Sequence, residues 1–256
     1  GGAISDDLLR VLTGSAGAPL MVNSSLPLTA PWTKDATVFG ITNDPTTVQI
    51  DALDFSHTSE HLYSDSYNAS RNTLIKWSVA GLTSNGVGIA TNALYTTTVT
   101  RIRNVNAYYV GGKDLLYYGE GDTVTASDSK VCVFDTATET ETVLLTGLPR
   151  GAIANDIMNV KVGGVGLGQM HLYVQCDGGA LSIYALNADG KSVGNLARAF
   201  TREQTYAFLG ATPTTYMRSF ELTNDERFAF FTSPGANALY VVCTKPRQGT
   251  VLTLQP

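Results

Sequence analysis

Short runs in which apolar and polar residues alternate recur along the chain, and turns rich in Gly, Asn, Asp, Ser and Thr separate them. The segment SEHLYSDSYNASRNTLIKWSV, residues 59–79, is typical, because two such runs flank a polar turn after Asn68. Alternation with a period of two is the pattern of a strand that buries one face. The sequence therefore predicts an all-β chain built from hairpins.

This pattern returns at regular intervals, each time marked by an apolar residue followed by an aromatic one. The four pairs are Leu62–Tyr63, Leu116–Tyr117, Leu172–Tyr173 and Ala229–Phe230. Their first members lie 54, 56 and 57 residues apart. A repeat of about 40 to 60 residues that contains only strands and turns is typical of a propeller blade.

Later parts of the repeat add a further strand through recognisable hairpin turns. The turns TATE, NADG and KPRQG each join two alternating runs, and Gly190 in NADG can adopt positive φ. A shorter, more divergent unit, with runs LLRVLTG, PLMVNSS, ATVFGIT and TTVQI, precedes the first clear repeat. We expect five blades, with approximate bounds 5–45, 46–99, 100–150, 151–210 and 211–256.

The repeat length and strand pattern resemble the β-propeller superfamily, particularly the irregular blades of secreted or envelope-associated bacterial proteins of the surface-layer and quinoprotein-like types. The resemblance implies a single domain over residues 1–256, folded as a five-bladed β-propeller of four-stranded antiparallel blades. Six blades or a differently closed sandwich also fit. The WD and kelch signatures are absent, so the resemblance implies no ligand.

Composition narrows the class of partner. The net charge is −5, and the basic pairs Arg101/Arg103 and Lys245/Arg247 are too sparse for a nucleic-acid interface. The sequence contains no run of 18 apolar residues, so it does not predict a membrane-spanning helix. The low charged fraction and many Thr, Ser and Asn favour a periplasmic, cell-surface or secreted location, with any signal or anchor lying in a segment outside this sequence.

Three groups of residues that could take part in catalysis or in metal or cofactor binding have simpler interpretations. Cys132, Cys176 and Cys243 are far apart inside apolar runs, which favours buried free thiols. His57 and His61 straddle a turn, so a metal site is disfavoured there. GGVGLG at 163–168 lacks the glycine spacing of a dinucleotide loop and predicts an inter-strand loop. We predict neither a metal nor a cofactor.

Carboxylates on several first strands are the better enzymatic candidates. Asp54, Asp156 and Glu221 lie in three different predicted blades, and first strands line the central channel of a propeller. Converging acids resemble the arrangement in five-bladed arabinanase-type glycosidases, and paired carboxylates cleave glycosidic bonds. Asp54 and Glu221 share one repeat position, however, so accepting backbone hydrogen bonds is an equally natural role.

Aromatic and basic side chains offer a non-catalytic alternative. Tyr108 lies at the repeat position of Asp54 and Glu221, so we expect it to face the channel, and Arg103 and Arg218 precede inner strands. These three residues are the predicted ligand contacts, with a glycan or a protein as the partner. We therefore expect a non-catalytic binding or scaffolding propeller, with a glycoside hydrolase as the alternative and a purely structural domain as a third possibility. The sequence does not indicate an oligomeric state.

Overall fold

The computed structural model describes most, but not all, of the chain. The described residues are 2–4, 11–15, 18–23, 37–39, 53–68, 71–78, 91–97, 101–121, 129–148, 157–176, 178–212, 217, 219–233, 238–244 and 251–254. Asp156 and Arg218 lie outside them, as does the predicted run TTVQI. The side chain of Arg103 is not described either, although its backbone belongs to a strand.

Most of the described residues are in β-strands, as the alternating pattern predicts. The strands are β1 (Gly2–Ile4), β2 (Val11–Ser15), β3 (Ala18–Asn23), β4 (Thr37–Phe39), β5 (Leu53–Phe55), β6 (His61–Asn68), β7 (Arg71–Ser78), β8 (Thr91–Thr97), β9 (Arg101–Val110), β10 (Lys113–Gly121), β11 (Lys130–Asp135), β12 (Thr140–Thr146), β13 (Ile157–Gly163), β14 (Met170–Cys176), β15 (Leu181–Leu186), β16 (Val193–Phe200), β17 (Ser219–Leu222), β18 (Phe228–Ser233), β19 (Ala238–Cys243) and β20 (Val251–Leu254).

These strands form four-stranded antiparallel sheets of consecutive strands. Within the described ranges there are five, namely β1–β4, β5–β8, β9–β12, β13–β16 and β17–β20. Consecutive pairing follows from the short connections, since antiparallel neighbours need only a hairpin turn. The closure of these sheets into one five-bladed ring stays a prediction.

The chain divides into two compact units. Unit 1 comprises Gly1–Tyr109, Lys113–Leu116 and Phe134–Thr140, and unit 2 comprises Val110–Gly112, Tyr117–Val133 and Glu141–Pro256. The hydrophobic core of unit 2 includes Tyr173 and Leu181 from one sheet, and Phe220, Phe231 and Val242 from the next. Burial of apolar area between facing sheets is the main stabilising contribution in this architecture.

The strand register supports the repeat found in the sequence. Asp54 pairs with Tyr63 between β5 and β6, and Glu221 pairs with Phe230 between β17 and β18. The equivalent partner of Tyr173 on β13 is Lys161, a position that sequence reasoning did not single out. The predicted positive φ of Gly190 in the β15–β16 hairpin is confirmed at 69°, and GGVGLG lies across the β13–β14 loop as predicted.

Two features differ from the sequence-based expectation. The first strand of the first sheet is Gly2–Ile4, before the predicted start at residue 5. A helix, α1 (Arg202–Phe208), follows β16 and was not predicted. Its signal is the capping box Thr201–Gln204, in which each side chain hydrogen-bonds the other residue's backbone N–H. The strong strand pattern on both sides hid a helix of only seven residues.

Two further expectations concern cysteines and membranes. The three cysteines are free, with Cys132 and Cys176 buried and Cys243 half-buried, which confirms the predicted free thiols. Among the described residues, no helix has the length and apolar character needed to cross a bilayer.

Candidate functional site

The predicted acid Asp54 is engaged with the backbone inside unit 1. One of its carboxylate oxygens accepts a hydrogen bond from the Phe55 N–H at 2.9 Å, and the other accepts one from the Ala107 N–H at 2.8 Å. Ala107 belongs to β9, the first strand of the next sheet, so the carboxylate joins two neighbouring first strands. This contact is of the structural kind that the shared repeat position suggested.

The predicted acid Glu221 has a different environment in unit 2. It is exposed and forms an ion pair with the buried Lys161 of β13. A buried ammonium requires a counter-charge, because desolvation of an unpaired cation is costly. Glu221 therefore compensates the charge of Lys161, and catalysis by Asp54, Asp156 and Glu221 stays a prediction.

The predicted ligand contacts lie on or beside β9. Tyr108 is half-buried, whereas its neighbour Tyr109 is exposed and stacks on His57 with ring centroids 4.0 Å apart. The backbone of Arg103 lies on the same strand, and Arg218 falls outside the described residues. The roles of Tyr108, Arg103 and Arg218 in ligand binding are untested predictions.

A pocket of about 410 Å³ lies in unit 2, between the sheets β13–β16 and β17–β20. Ligand pockets commonly occupy 300–1,000 Å³, so this one has room for a small molecule or a large side chain. Both sheets contribute alternate residues of their facing sides, and α1 contributes Thr205 and Phe208. Sequence reasoning did not predict a pocket here.

The first wall is a continuous face of the sheet β13–β16. Tyr173 pairs with Ile183, and Ile183 pairs with Arg198, so these three side chains form one row across three strands. Leu181 and Phe200 form the next row. All five residues line the pocket. The wall is therefore apolar at its centre, with one cationic side chain on the outermost strand.

The second wall belongs to the sheet β17–β20 and is apolar. Phe220 pairs with Phe231, and Ala229 pairs with Val242, and all four line the pocket. Ala229 occupies the position at which three other repeats have Leu62, Leu116 and Leu172, each fully buried. Replacing a leucine by an alanine removes three carbon atoms, and this loss of side-chain volume helps to leave the pocket open.

One end of the pocket is formed by a hydrogen-bonded carboxylate, Glu226. Its Oε1 lies 2.8 Å from His171 Nδ1, and the Tyr173 hydroxyl also donates to it. Burial, and secondarily the charge of Glu226, hold the pKa of Tyr173 well above its usual value, so the hydroxyl remains a donor. Gly163 permits this approach, because a Cβ there would lie 2.5 Å from the Glu226 side chain.

The backbone around Glu226 is fixed by contacts between two hairpin turns. Asn224 accepts hydrogen bonds from the N–H groups of Gly164 and Val165 at 2.6 and 2.8 Å, and its Nδ2 donates to the Val165 carbonyl. Glu226 has φ of 57°, which is unfavourable for a residue with a Cβ. Such a conformation persists where surrounding contacts determine it, and it is common at functional sites.

Arg198 lies at the outer edge of the pocket. Its guanidinium carbon is 5.8 Å from the centre of the Phe200 ring, and the side chain is exposed. The β15–β16 pairing is irregular on either side of Tyr184, and a bulge on β16 changes the direction of adjacent side chains. This irregularity is the reason that Ala197 and Arg198 both line the pocket. The sequence gives no signal for such a bulge.

A second cluster of polar side chains lies on the sheet β9–β12 within unit 2. Atoms of Glu120, Cys132 and Glu141 that can ligate a metal lie within 4.8 Å of one another. Each already has a partner: the Cys132 thiol donates to Glu120 at 3.5 Å, Lys130 pairs with Glu120, and the Tyr118 hydroxyl donates to Glu141. Burial raises the pKa of Cys132 far above its usual value. This internal pairing favours a hydrogen-bonded and ion-paired network over a metal centre.

No protein-family model matches the chain, and no curated protein matches its sequence. Several solved structures nevertheless have a similar fold. The β-propeller domain of Cps50 (Swd1) from Myceliophteria thermophila is 9% identical, with a TM-score of 0.58 and coverage of 99% of this chain and 72% of that one. A chain in a nidogen/laminin complex is 11% identical, with a TM-score of 0.62 and coverage of 100% and 79%.

A third similar structure is a 6-phosphogluconolactonase-like protein from Bacteroides fragilis. It is 10% identical, with a TM-score of 0.55 and coverage of 98% of this chain and 68% of that one. The three likenesses show that the chain has a β-propeller fold, as the repeat pattern predicts. At such low identity they do not assign an activity, because propellers with unrelated functions share this fold.

Proposed function

We propose that this protein is a non-catalytic binding propeller that holds its ligand in the pocket of unit 2. The observation that carries the proposal is the 410 Å³ pocket itself, with apolar walls and a few polar side chains at its margins. That combination is typical of small-molecule and anchoring sites. In the propeller that we infer, the five sheets are the blades of one ring outside the cytoplasm.

The bonding of the candidate catalytic acids supports binding over catalysis. A general acid or a nucleophile needs a carboxyl group that is available to substrate. The Asp54 carboxylate accepts two backbone hydrogen bonds, and Glu221 is held by Lys161. The similar structures include a complex of nidogen and laminin and a 6-phosphogluconolactonase-like protein, so the decision between the two classes depends on these residues.

The lining of the pocket also bears on the class of ligand. A glycan presents hydroxyl groups around most of its surface, and each one buried without a partner is costly. Phenylalanine, leucine, isoleucine, valine, alanine and tyrosine side chains supply most of the walls. Of the predicted partners, the pocket therefore favours an apolar group, from a small molecule or from a protein side chain, over a sugar.

The test is the binding of a neutral apolar probe, 2-naphthylacetamide, followed by naphthalene fluorescence and by calorimetry. We expect saturable one-site binding to the wild-type chain. In Ala229→Leu, the residue that the other repeats carry takes up the space beside β18, and binding should fall by at least about tenfold. Retained cooperative unfolding of the variant is the control for its fold.

Two results would contradict the proposal. One is a failure of the probe to saturate at millimolar concentration, which would remove the pocket as a binding site. The other is equal binding to the wild type and to Ala229→Leu, which would place the probe elsewhere on the molecule.

A further inference from the structure

Resting on the proposed function, we infer that the ligand of this pocket is an amphipathic anion. Its apolar body would lie between Ile183 and Ala229, and its carboxylate would bind the guanidinium of Arg198. The inference combines the apolar walls with the distribution of charge around the pocket.

The apolar body follows from what lies deepest in the pocket. Leu181, Phe220, Phe231 and Val242 are buried core residues that also line it. Contact with these side chains favours an aromatic or branched alkyl group, because the removal of apolar surface from water stabilises the complex. The missing leucine side chain at Ala229 gives that group its place.

The sign of the charged group follows from the state of the two charged side chains that face the pocket. Glu226 is already hydrogen-bonded to His171 and Tyr173, and a ligand cation would have to compete with both contacts. Arg198 makes no ion pair with any residue that the structure describes, and its guanidinium carbon lies 5.8 Å from the centre of the Phe200 ring. An anion therefore finds an available partner at Arg198, whereas a cation at Glu226 finds a carboxylate that two protein groups already bind.

The remaining polar groups of the pocket are compatible with this arrangement. His171 is paired with Glu226, Thr244 donates its hydroxyl to the Glu226 carbonyl, and Thr205 donates to the Thr201 carbonyl. None of these groups adds a second negative charge beside Arg198. The planar, forked guanidinium of Arg198 matches a carboxylate, since two parallel N–H donors can bind its two oxygens.

The test compares 2-naphthylacetate with the neutral 2-naphthylacetamide, two probes with the same apolar body. We expect the wild-type chain to bind the carboxylate about threefold to tenfold more tightly than the amide, a preference that falls with added salt. In Arg198→Gln the preference should disappear, while the affinity for the amide stays near that of the wild type.

Arg227→Gln is a matched control. Arg227 is also exposed and also lies 5.8 Å from a phenylalanine ring, that of Phe228, but it does not line the pocket and has Asp225 as a partner. This variant should keep the full preference for the carboxylate. Loss of the preference in Arg227→Gln as well would show a general surface-charge effect and would overturn the inference.

The outcomes separate this inference from the proposed function. Binding of the amide with no preference for the carboxylate would leave the pocket as a ligand site and overturn only the anionic class. Binding of neither probe would overturn both. The pocket could instead bind a peptide that carries a large apolar residue, while the acid and amide probes bind equally. That result would assign the pocket to a protein side chain and contradict the small-anion inference.

Discussion

Two places in this molecule use the same tyrosine contact with different results. In unit 1, the Tyr63 hydroxyl of β6 donates to Asp114 of β10 at 3.2 Å, and in unit 2 the equivalent Tyr173 of β14 donates to Glu226. In the second strand of the following sheet, unit 1 has the fully buried Leu116 and unit 2 has Ala229, which lines a pocket. The hydrogen bond is kept, and the packing beside it changes.

The comparison shows how a repeat architecture can open an apolar pocket at little cost in stability. Hydrogen bonds between hairpins hold neighbouring sheets together, as Asp114 does with the His57 N–H and Glu226 does with His171. With that contact in place, a smaller apolar residue can replace a larger one without loss of the fold, because each repeat is stabilised largely by contacts with its neighbours. The small residue at position 229 then contributes to the opening of the pocket, together with the irregular pairing of β16.

The largest expected effect is that of making unit 1 resemble unit 2. In Leu116→Ala, the loss of a fully buried leucine should lower the free energy of unfolding by about 2–5 kcal/mol. The reverse change, Ala229→Leu, should leave the free energy of unfolding within about 1 kcal/mol of the wild type or raise it, because space is already present. Urea denaturation measures both. A large loss in Ala229→Leu would show that the pocket is not open space.

A smaller effect separates the two tyrosines. Tyr63→Phe should lower the free energy of unfolding by about 1–2 kcal/mol, because the hydroxyl of the buried Tyr63 bonds both Asp114 and Thr136. Tyr173→Phe should cost about 0.5–1 kcal/mol, since Glu226 keeps His171 and water can enter from the pocket. Thermal and urea unfolding of the two variants would measure the difference, and equal or reversed losses would contradict this distinction.

The sequence predicted the fold well because its information is local and repeated. The pairs Leu62–Tyr63 and Leu172–Tyr173 mark the second strand of their sheets, and the turn at Gly190 has the backbone conformation that its glycine allows. The helix α1 was missed, although its capping box is visible in the sequence. A seven-residue helix between strong strand patterns gives too little periodicity to be recognised.

The candidate site was much less predictable. Ala229 was visible as the smallest residue at its repeat position, but its effect depends on how two sheets face each other. Arg198 reaches the pocket through an irregularity in strand pairing that no residue type announces. The bonding of Asp54 and the pairing of Glu221 with Lys161 likewise depend on contacts between neighbouring first strands, which the sequence does not specify.

The most direct test of the central claim is a crystal structure of the protein pressurised with xenon, which occupies apolar cavities. The account predicts xenon density beside Ala229, between β15 and β18, and none beside Leu116. Crystals of the Ala229→Leu variant, pressurised in the same way, should show no xenon at the first site. An absence of xenon beside Ala229 in the wild type would contradict the claim that this position opens an apolar pocket.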